Sequence, residues 1–190
     1  QTISKSISVT VTVTMSLIFS DEFDTPGAPD PARWGYDLGA GGWGNNEVQY
    51  YTNRLDNAVV SNGTLKIILK KENFSGSAYT SARILSRNKF SFKYGKVECR
   101  AKLPAGGGTW PAIWMLGDNI GTAGWPGCGE IDIMEHVGFD PGVIHGTIHT
   151  ESFNHIDKTQ NEGKVTIEGA QDALHLYAID WTKDKIDFYV

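Results

Sequence analysis

The ten residues "GEIDIMEHVG" (129–138) place three acids within six positions that are otherwise filled by isoleucine and methionine. Read as a β-strand, the stretch puts Glu130 and Asp132 on one face and its isoleucines on the other, because successive side chains alternate. Glu135 breaks this alternation and would point into the core, where an unpaired carboxylate is unfavourable. A β-bulge near Met134 would add one residue and return Glu135 to the face of the other two acids.

Composition and charge exclude several classes of protein. The 190 residues fit one domain, and the net charge is −5 with the 17 Lys and Arg scattered along the chain. This distribution argues against a nucleic-acid partner, since nucleic-acid binding needs a basic patch. No apolar run approaches the roughly 20 residues of a membrane span, so no membrane partner is expected.

Period-2 alternation of apolar and polar residues recurs along the chain, whereas helical periodicity is nearly absent. A short turn of helix is predicted only at "DPARWG" near position 30. The alternating runs are "ISVTVTVTMSLIF" (7–19), "GTLKIILKK" (63–71), "KVECRAKL" (96–103), "VIHGTIHT" (143–150) and "LHLYAIDWT" (174–182). Many short antiparallel strands at this spacing predict an all-β sandwich or barrel.

Both ends of the chain carry expectations about its organisation. Residues 1–16 are either the first strand of the domain or the tail of a preceding β module, and 17–190 form the main domain. Because the chain opens with Gln1 and lacks a signal peptide, a processed or excised form is expected. The chain closes at "KIDFYV", within a predicted strand. The two cysteines, Cys99 and Cys128, could form one disulfide, but spacing alone leaves this open.

Aromatic and imidazole side chains surround the acidic strand. Trp110 and Trp114 share one side of their predicted strand, and Trp125 lies in the loop that leads into the acidic strand. His145 and His149 lie on the side of their strand opposite its isoleucines. Indole faces beside carboxylates suit a sugar ring, whose C–H groups stack on the indole while polar side chains bind the hydroxyls.

Two carboxyls that flank a glycosidic bond are the machinery of glycoside hydrolysis. One attacks the anomeric carbon, and the other, kept protonated by neighbouring negative charge, donates to the leaving oxygen. Asp132 would supply that charge and hydrogen-bond the nucleophile. Two alternatives are a solvated acidic stripe on an edge strand and a metal site. The histidines lack the close spacing of zinc ligands, and a flat strand cages a cation poorly.

The motifs "GTWPAIWMLG", "WPGCGEIDIMEHVG" and "HGTIHT" together resemble glycoside hydrolase family 16, in its laminarinase-like (endo-1,3-β-glucanase) branch. The resemblance extends from Leu17 to Val190. It implies a β-jelly-roll sandwich of two antiparallel sheets with a concave substrate cleft. It also implies endo-acting hydrolysis of β-1,3-glucan or mixed-linkage β-glucan with retention of configuration. Glu130 corresponds to the nucleophile, Asp132 to the assisting acid and Glu135 to the acid/base.

The resemblance further implies a set of substrate-binding residues: Asn46, Arg83, Trp110, Trp114, Trp125 and His149. The tryptophans would line glucose subsites on the donor side, where Asn46 and Arg83 would bind sugar hydroxyls. His149 would reach the other side of the cleavage point. The implied partner is a β-glucan polysaccharide, and the implied location is secreted or extracellular.

Family members normally continue for some tens of residues beyond "IDFYV", so the domain is expected to be incomplete at its C-terminus. A second chain or segment would then supply the remaining strands. No cofactor is expected for catalysis. A structural calcium ion is a further expectation, with Glu22 and the Gly63 backbone matching part of its site. Two other functions stay open: a transglycosylase on the same scaffold, and a non-catalytic carbohydrate-binding module.

Overall fold

The computed structural model describes residues 14–190, which form two compact units divided between Phe90 and Ser91. The all-β fold class predicted from the sequence is confirmed, because the regular structure of the described residues is almost entirely β-strand. Of the alternating run at 7–19, residues 7–13 lie outside the described part, and residues 14–19 form no strand. No helix within residues 14–190 has the length and apolar character needed to cross a membrane.

The first unit contains short strands in three small sheets. The strands are β1 (Gly35–Asp37), β2 (Gln49–Tyr51), β3 (Ala58–Ser61), β4 (Thr64–Ile67), β5 (Lys70–Phe74), β6 (Ser77–Ser81) and β7 (Arg83–Leu85). β1 pairs with β7, β3 pairs with β4, and β6 lies between β2 and β5. The β2–β6 pair is parallel, whereas the other pairs are antiparallel.

The predicted strand at 63–71 is divided in the structure. It begins after a two-residue turn in which Asn62 and Gly63 both have positive φ, 55° and 67°, as a type I′ hairpin requires. β4 then ends at Ile67, because the fully buried Asn57 binds both backbone groups of Ile68. The Asn57 carbonyl accepts from the Ile68 N–H at 2.8 Å, and the Asn57 amide donates to the Ile68 carbonyl at 3.0 Å.

The second unit contains two antiparallel sheets. Its elements are β8 (Gly95–Ala101), β9 (Ala112–Leu116), the short helix α1 (Ile120–Ala123), β10 (Glu130–His136), β11 (Val143–His149), β12 (Asn161–Thr166), β13 (His175–Trp181) and β14 (Ile186–Tyr189). One sheet has the order β12–β11–β10–β9, and the other has the order β14–β13–β8. These bounds agree with the strands predicted at 96–103, 143–150 and 174–182.

Two other sequence expectations have structural outcomes. The predicted helical turn at "DPARWG" is a hydrogen-bonded turn and not a helix, with the Asp30 carbonyl accepting from the N–H groups of Arg33 and Trp34. Cys99 and Cys128 are both free thiols and both only partly buried. The disulfide that the sequence left open is therefore not formed in this structure.

The core of the second unit lies between its two sheets. Tyr177 and Ile179 of β13 are fully buried and pack in one cluster with Ile133 and Met134 of β10 and Ile144 of β11. The isoleucines of the acidic strand thus face this core, as the alternation predicted. The opposite face of β10 is left to the acids.

Replacing Ile179 by Ala should lower the free energy of unfolding by about 2–5 kcal/mol, because it removes a fully buried side chain and leaves a cavity. Leu176→Ala on the same strand is the matched control, since Leu176 is 47% exposed. Urea titration of both variants measures the difference. Equal destabilisation by the two substitutions would contradict the assigned core.

Candidate active site

The acidic strand β10 lies inside its sheet, with β9 on one side and β11 on the other. Asp132 is only 5% exposed. The alternative of a solvated acidic stripe on an edge strand is therefore wrong. A buried carboxyl in this position needs either a partner or a proton.

A β-bulge brings Glu135 back to the face of the other acids. Asp132 and Glu135 are three residues apart on β10, but their partners on β11, Thr147 and His145, are only two apart. The register with β9 shifts at the same place, between Asp132 and Met134. The bulge predicted near Met134 is thus confirmed.

Asp132 differs from the other two acids in its burial. Removal from water, followed by the negative charges of Glu130 and Glu135, raises the pKa of Asp132 to about 8. Burial and these two charges therefore favour the protonated form of the Asp132 carboxyl, which can donate a hydrogen bond. The role of Asp132 as the acid that assists the nucleophile stays a prediction.

His149 lies across the strand pair from Glu130. Its Nε2 is 3.4 Å from Asp132 Oδ2 and 3.8 Å from Glu130 Oε1. Burial, followed by the neighbouring His155, lowers the pKa of His149, which favours the neutral ring. The buried ring contacts Trp125, with ring centroids 5.7 Å apart.

The predicted tryptophans of the second unit contact the acidic strand in different ways. The indole N–H of Trp110 donates to Glu135 Oε1 at 2.9 Å, while the residue stays 61% exposed. Trp114 lies on β9 directly opposite Asp132. Trp125 contacts the ring of His149, and His149 is the partner of Glu130 across β10 and β11. Sequence reasoning missed both the Trp110–Glu135 hydrogen bond and His155, whose ring lies 4.6 Å from that of Trp125.

Gly138 fixes the loop that carries Trp110. Its N–H donates to the Thr109 carbonyl at 2.9 Å. A Cβ at position 138 would lie 1.9 Å from the Gly106 carbonyl oxygen, so a larger residue would push this loop away. The glycine of the "HVG" that follows the acids in the sequence is thus required by close backbone packing.

Two of the predicted substrate-binding residues, Arg83 and Asn46, lie in the first unit. Arg83 on β7 binds Asp37 on β1, with 2.9 Å between Nε and Oδ2, and its guanidinium lies 5.1 Å from the centre of the Trp43 ring. Asn46 is an exposed loop residue with φ 57°. Sequence reasoning missed Trp43, although its position in the glycine-rich "GGWGNN" loop was a signal.

The calcium ligands predicted from the resemblance also lie in the first unit. Glu22 is exposed, and Gly63 occupies the β3–β4 turn. A carboxylate and a backbone carbonyl suit calcium, but the ion takes about 6–8 oxygen ligands. Two such ligands would supply only part of a calcium site, and this site stays a prediction.

Comparison with known proteins identifies the family of this chain. Residues 45–190 match the family described as glycosyl hydrolases family 16. The chain belongs to this family.

Individual relatives agree with the family assignment. The chain is 53% identical to the β-glucanase of Rhodothermus marinus over 92% of its own length and 62% of that protein. It therefore spans less than two thirds of this relative. The laminarinase structure from Rhodothermus marinus matches with a TM-score of 0.89 at 53% identity, covering 91% of this chain and 70% of that one.

A second solved structure was crystallised with sugar. It is a mutant of SCLam, a non-specific endo-β-1,3(4)-glucanase of the same family, co-crystallised with 1,3-β-D-cellotriosyl-glucose. The match has a TM-score of 0.88 at 44% identity and covers 92% of this chain and 70% of that one.

Asp132→Asn should make the stability of this family 16 chain less dependent on pH. A folded-state pKa of about 8, above the ordinary 3.8, means that the stabilising contribution of Asp132 is complete below pH 4 and is lost as pH rises to about 8. The amide has no such titration, so the difference in Tm, variant minus parent, should increase between about pH 4 and 8.

The exposed Asp118 provides the matched control as Asp118→Asn. Thermal unfolding followed by circular dichroism across this pH range measures both differences. A constant Tm difference for Asp132→Asn would show that Asp132 is ionised in the folded state.

Proposed function

We propose that this chain is the catalytic domain of an endo-acting, configuration-retaining hydrolase of β-1,3-glucan, with mixed-linkage β-glucan as a related substrate. The observation that carries the proposal is the acid cluster itself. Glu130 and Glu135 share one face of a central strand, separated by the buried Asp132, whose pKa is raised by burial and by the two flanking charges. A carbohydrate-binding module has no need for such a cluster.

Each acid has a distinct role in the proposed reaction. Glu130 attacks the anomeric carbon while Glu135 protonates the leaving glycosidic oxygen, which gives a covalent glycosyl-enzyme and a released chain end. Glu135, now ionised, takes a proton from water as that water displaces Glu130. Asp132 donates a hydrogen bond toward the nucleophile, which stabilises its carboxylate when it departs.

The Trp110 hydrogen bond supports the acid/base role of Glu135. The indole N–H occupies Oε1 of Glu135 and can only donate, so the transferable proton belongs on Oε2. The same hydrogen bond stabilises the ionised carboxylate that remains after proton transfer.

We assign the predicted substrate-binding residues to sugar contacts. Trp110, Trp114 and Trp125 would stack on glucose rings at the donor side, and His149 would contact the sugar beyond the cleavage point. Arg83 and Asn46 would bind sugar hydroxyls. The support for Arg83 is that Asp37 and Trp43 hold its guanidinium from two directions.

Several wider properties belong to the same proposal. Residues 17–190 would form a jelly-roll catalytic domain with a concave cleft, which the likeness to laminarinase structures supports. Because a polysaccharide substrate lies outside the cell, we propose a secreted protein. Calcium would have a structural role only, with Glu22 and Gly63 among its ligands.

Azide rescue separates the roles of the two glutamates. Glu130→Ala should lose nearly all turnover, and azide should restore it with an α-glycosyl azide product because azide replaces the nucleophile. Glu135→Ala should give the β-azide from a substrate with a good leaving group. NMR of the products distinguishes the anomers, and the same anomer from both variants would refute the assignment.

A substrate panel tests the reaction class. Reducing ends should appear from laminarin and mixed-linkage glucan but not from agarose or carrageenan, and NMR should show the β-anomer first. Transfer to an excess of oligosaccharide acceptor would instead indicate a transglycosylase. Binding without any cleavage would indicate a carbohydrate-binding module.

Trp110→Ala should weaken the binding of β-1,3-gluco-oligosaccharides by roughly 1–3 kcal/mol through loss of a stacking face. The fold should persist, because Trp110 is 61% exposed. Trp181→Ala is the opposite control, since Trp181 packs against the core and the rings of Phe92 and Tyr94. Calorimetric titration and circular dichroism measure both effects. Unchanged affinity in Trp110→Ala would remove this residue from the subsite.

A further inference from the structure

Strand pairing brings an imidazole into the acid cluster, although the histidine spacing in the sequence gave no indication of a metal site. Glu130 and His149 are direct partners across β10 and β11. One ligand atom from each of Glu130, Asp132 and His149 lies within 4.8 Å of the other two. The three residues thus offer two carboxylate oxygens and one imidazole nitrogen to a single point.

The distances suit a small divalent cation better than direct hydrogen bonds. His149 Nε2 lies 3.4 Å from Asp132 Oδ2 and 3.8 Å from Glu130 Oε1, both beyond the roughly 2.7–3.2 Å of an N–H···O hydrogen bond. A tetrahedral ion with bonds of about 2.0–2.2 Å separates its ligand atoms by about 3.3–3.6 Å. The His149–Asp132 distance falls in this range. A small rotation of the Glu130 side chain would shorten the His149–Glu130 distance into it.

The histidine is held with its ring aimed at the acids. His149 is only 6% exposed, and its ring is enclosed by those of Trp125 and His155. Nδ1 has no hydrogen-bond partner within the part of the chain that the structure describes. No hydrogen bond at Nδ1 therefore fixes the tautomer, and Nε2 is free to present its lone pair to the cluster.

The ligand set selects the kind of ion. Calcium and magnesium prefer all-oxygen sites, whereas imidazole with carboxylates suits zinc and copper. With three protein ligands, one position of a tetrahedral ion stays open to water. A site of this kind binds an ion reversibly and occupies the carboxylate that the proposed mechanism uses as nucleophile.

We propose that Glu130, Asp132 and His149 form a reversible site for a first-row divalent cation such as Zn²⁺, and that an ion bound there blocks hydrolysis. The inhibition rests on the proposed function, whereas the binding does not. The cation acts as an inhibitor and takes no part in the reaction. The ion competes with the sugar for the same carboxyl groups.

Calorimetric titration of the chelator-treated chain with ZnCl₂ at neutral pH tests the binding. One ion per chain is expected, with affinity at least tenfold weaker in His149→Ala. His175→Ala is the matched control, because His175 lies on β13 with its Nε2 at 3.1 Å from the Gly169 carbonyl, and it should retain the site. Glu130→Gln, a near-isosteric change, serves as a second weakened variant if His149→Ala does not fold.

Two further measurements, one spectroscopic and one kinetic, complete the test. Bound Co²⁺ should show the visible absorption of a low-coordinate site in the parent and in His175→Ala but not in His149→Ala. Zinc should inhibit laminarin hydrolysis competitively, and EDTA should reverse the inhibition. Absence of binding, or binding unchanged in His149→Ala, would overturn the proposal, as would hydrolysis unaffected by a saturating ion. If zinc binds as predicted but the chelated chain cleaves no glucan, the proposed function fails and the metal site stands.

Discussion

The Asp132 carboxyl is buried between two other acids on one face of β10, and the chemistry of the site follows from this position. Asp132 cannot ionise easily there, because burial and the charges of Glu130 and Glu135 all favour its protonated form. A proton on Asp132 turns a repulsive row of three acids into two carboxyl groups separated by a hydrogen-bond donor. Such a row is useful to a glycosidase, which needs two carboxyls in different roles.

The surrounding structure supports that arrangement at several levels. The bulge in β10 places Glu135 beside its fellow acids while Ile133 and Met134 both stay in the core. β9 and β11 bury the strand from both sides and bring Trp114 and His149 to the same face. Because Glu130, Asp132 and His149 converge on this face, the site can also bind a divalent cation, as proposed above.

Much of this could be predicted from the sequence, because strand alternation has a period of two and one misplaced acid reveals a bulge. The sequence could not reveal the protonation of Asp132, which depends on burial by neighbouring strands. It also could not reveal the cluster with His149, because Asp132 and His149 are 17 positions apart in the sequence and meet only through the pairing of β10 with β11. The break at Ile68 was missed for the same reason, as it depends on Asn57.

The protonation of Asp132 is the central claim, and carbon-13 NMR of labelled aspartate carboxyls tests it most directly. Loss of one resonance in Asp132→Asn assigns the signal. The Asp132 carboxyl should be protonated at pH 6 and should titrate near its pKa of about 8. A signal that has completed its titration below about pH 5, as an ordinary aspartate does, would contradict it.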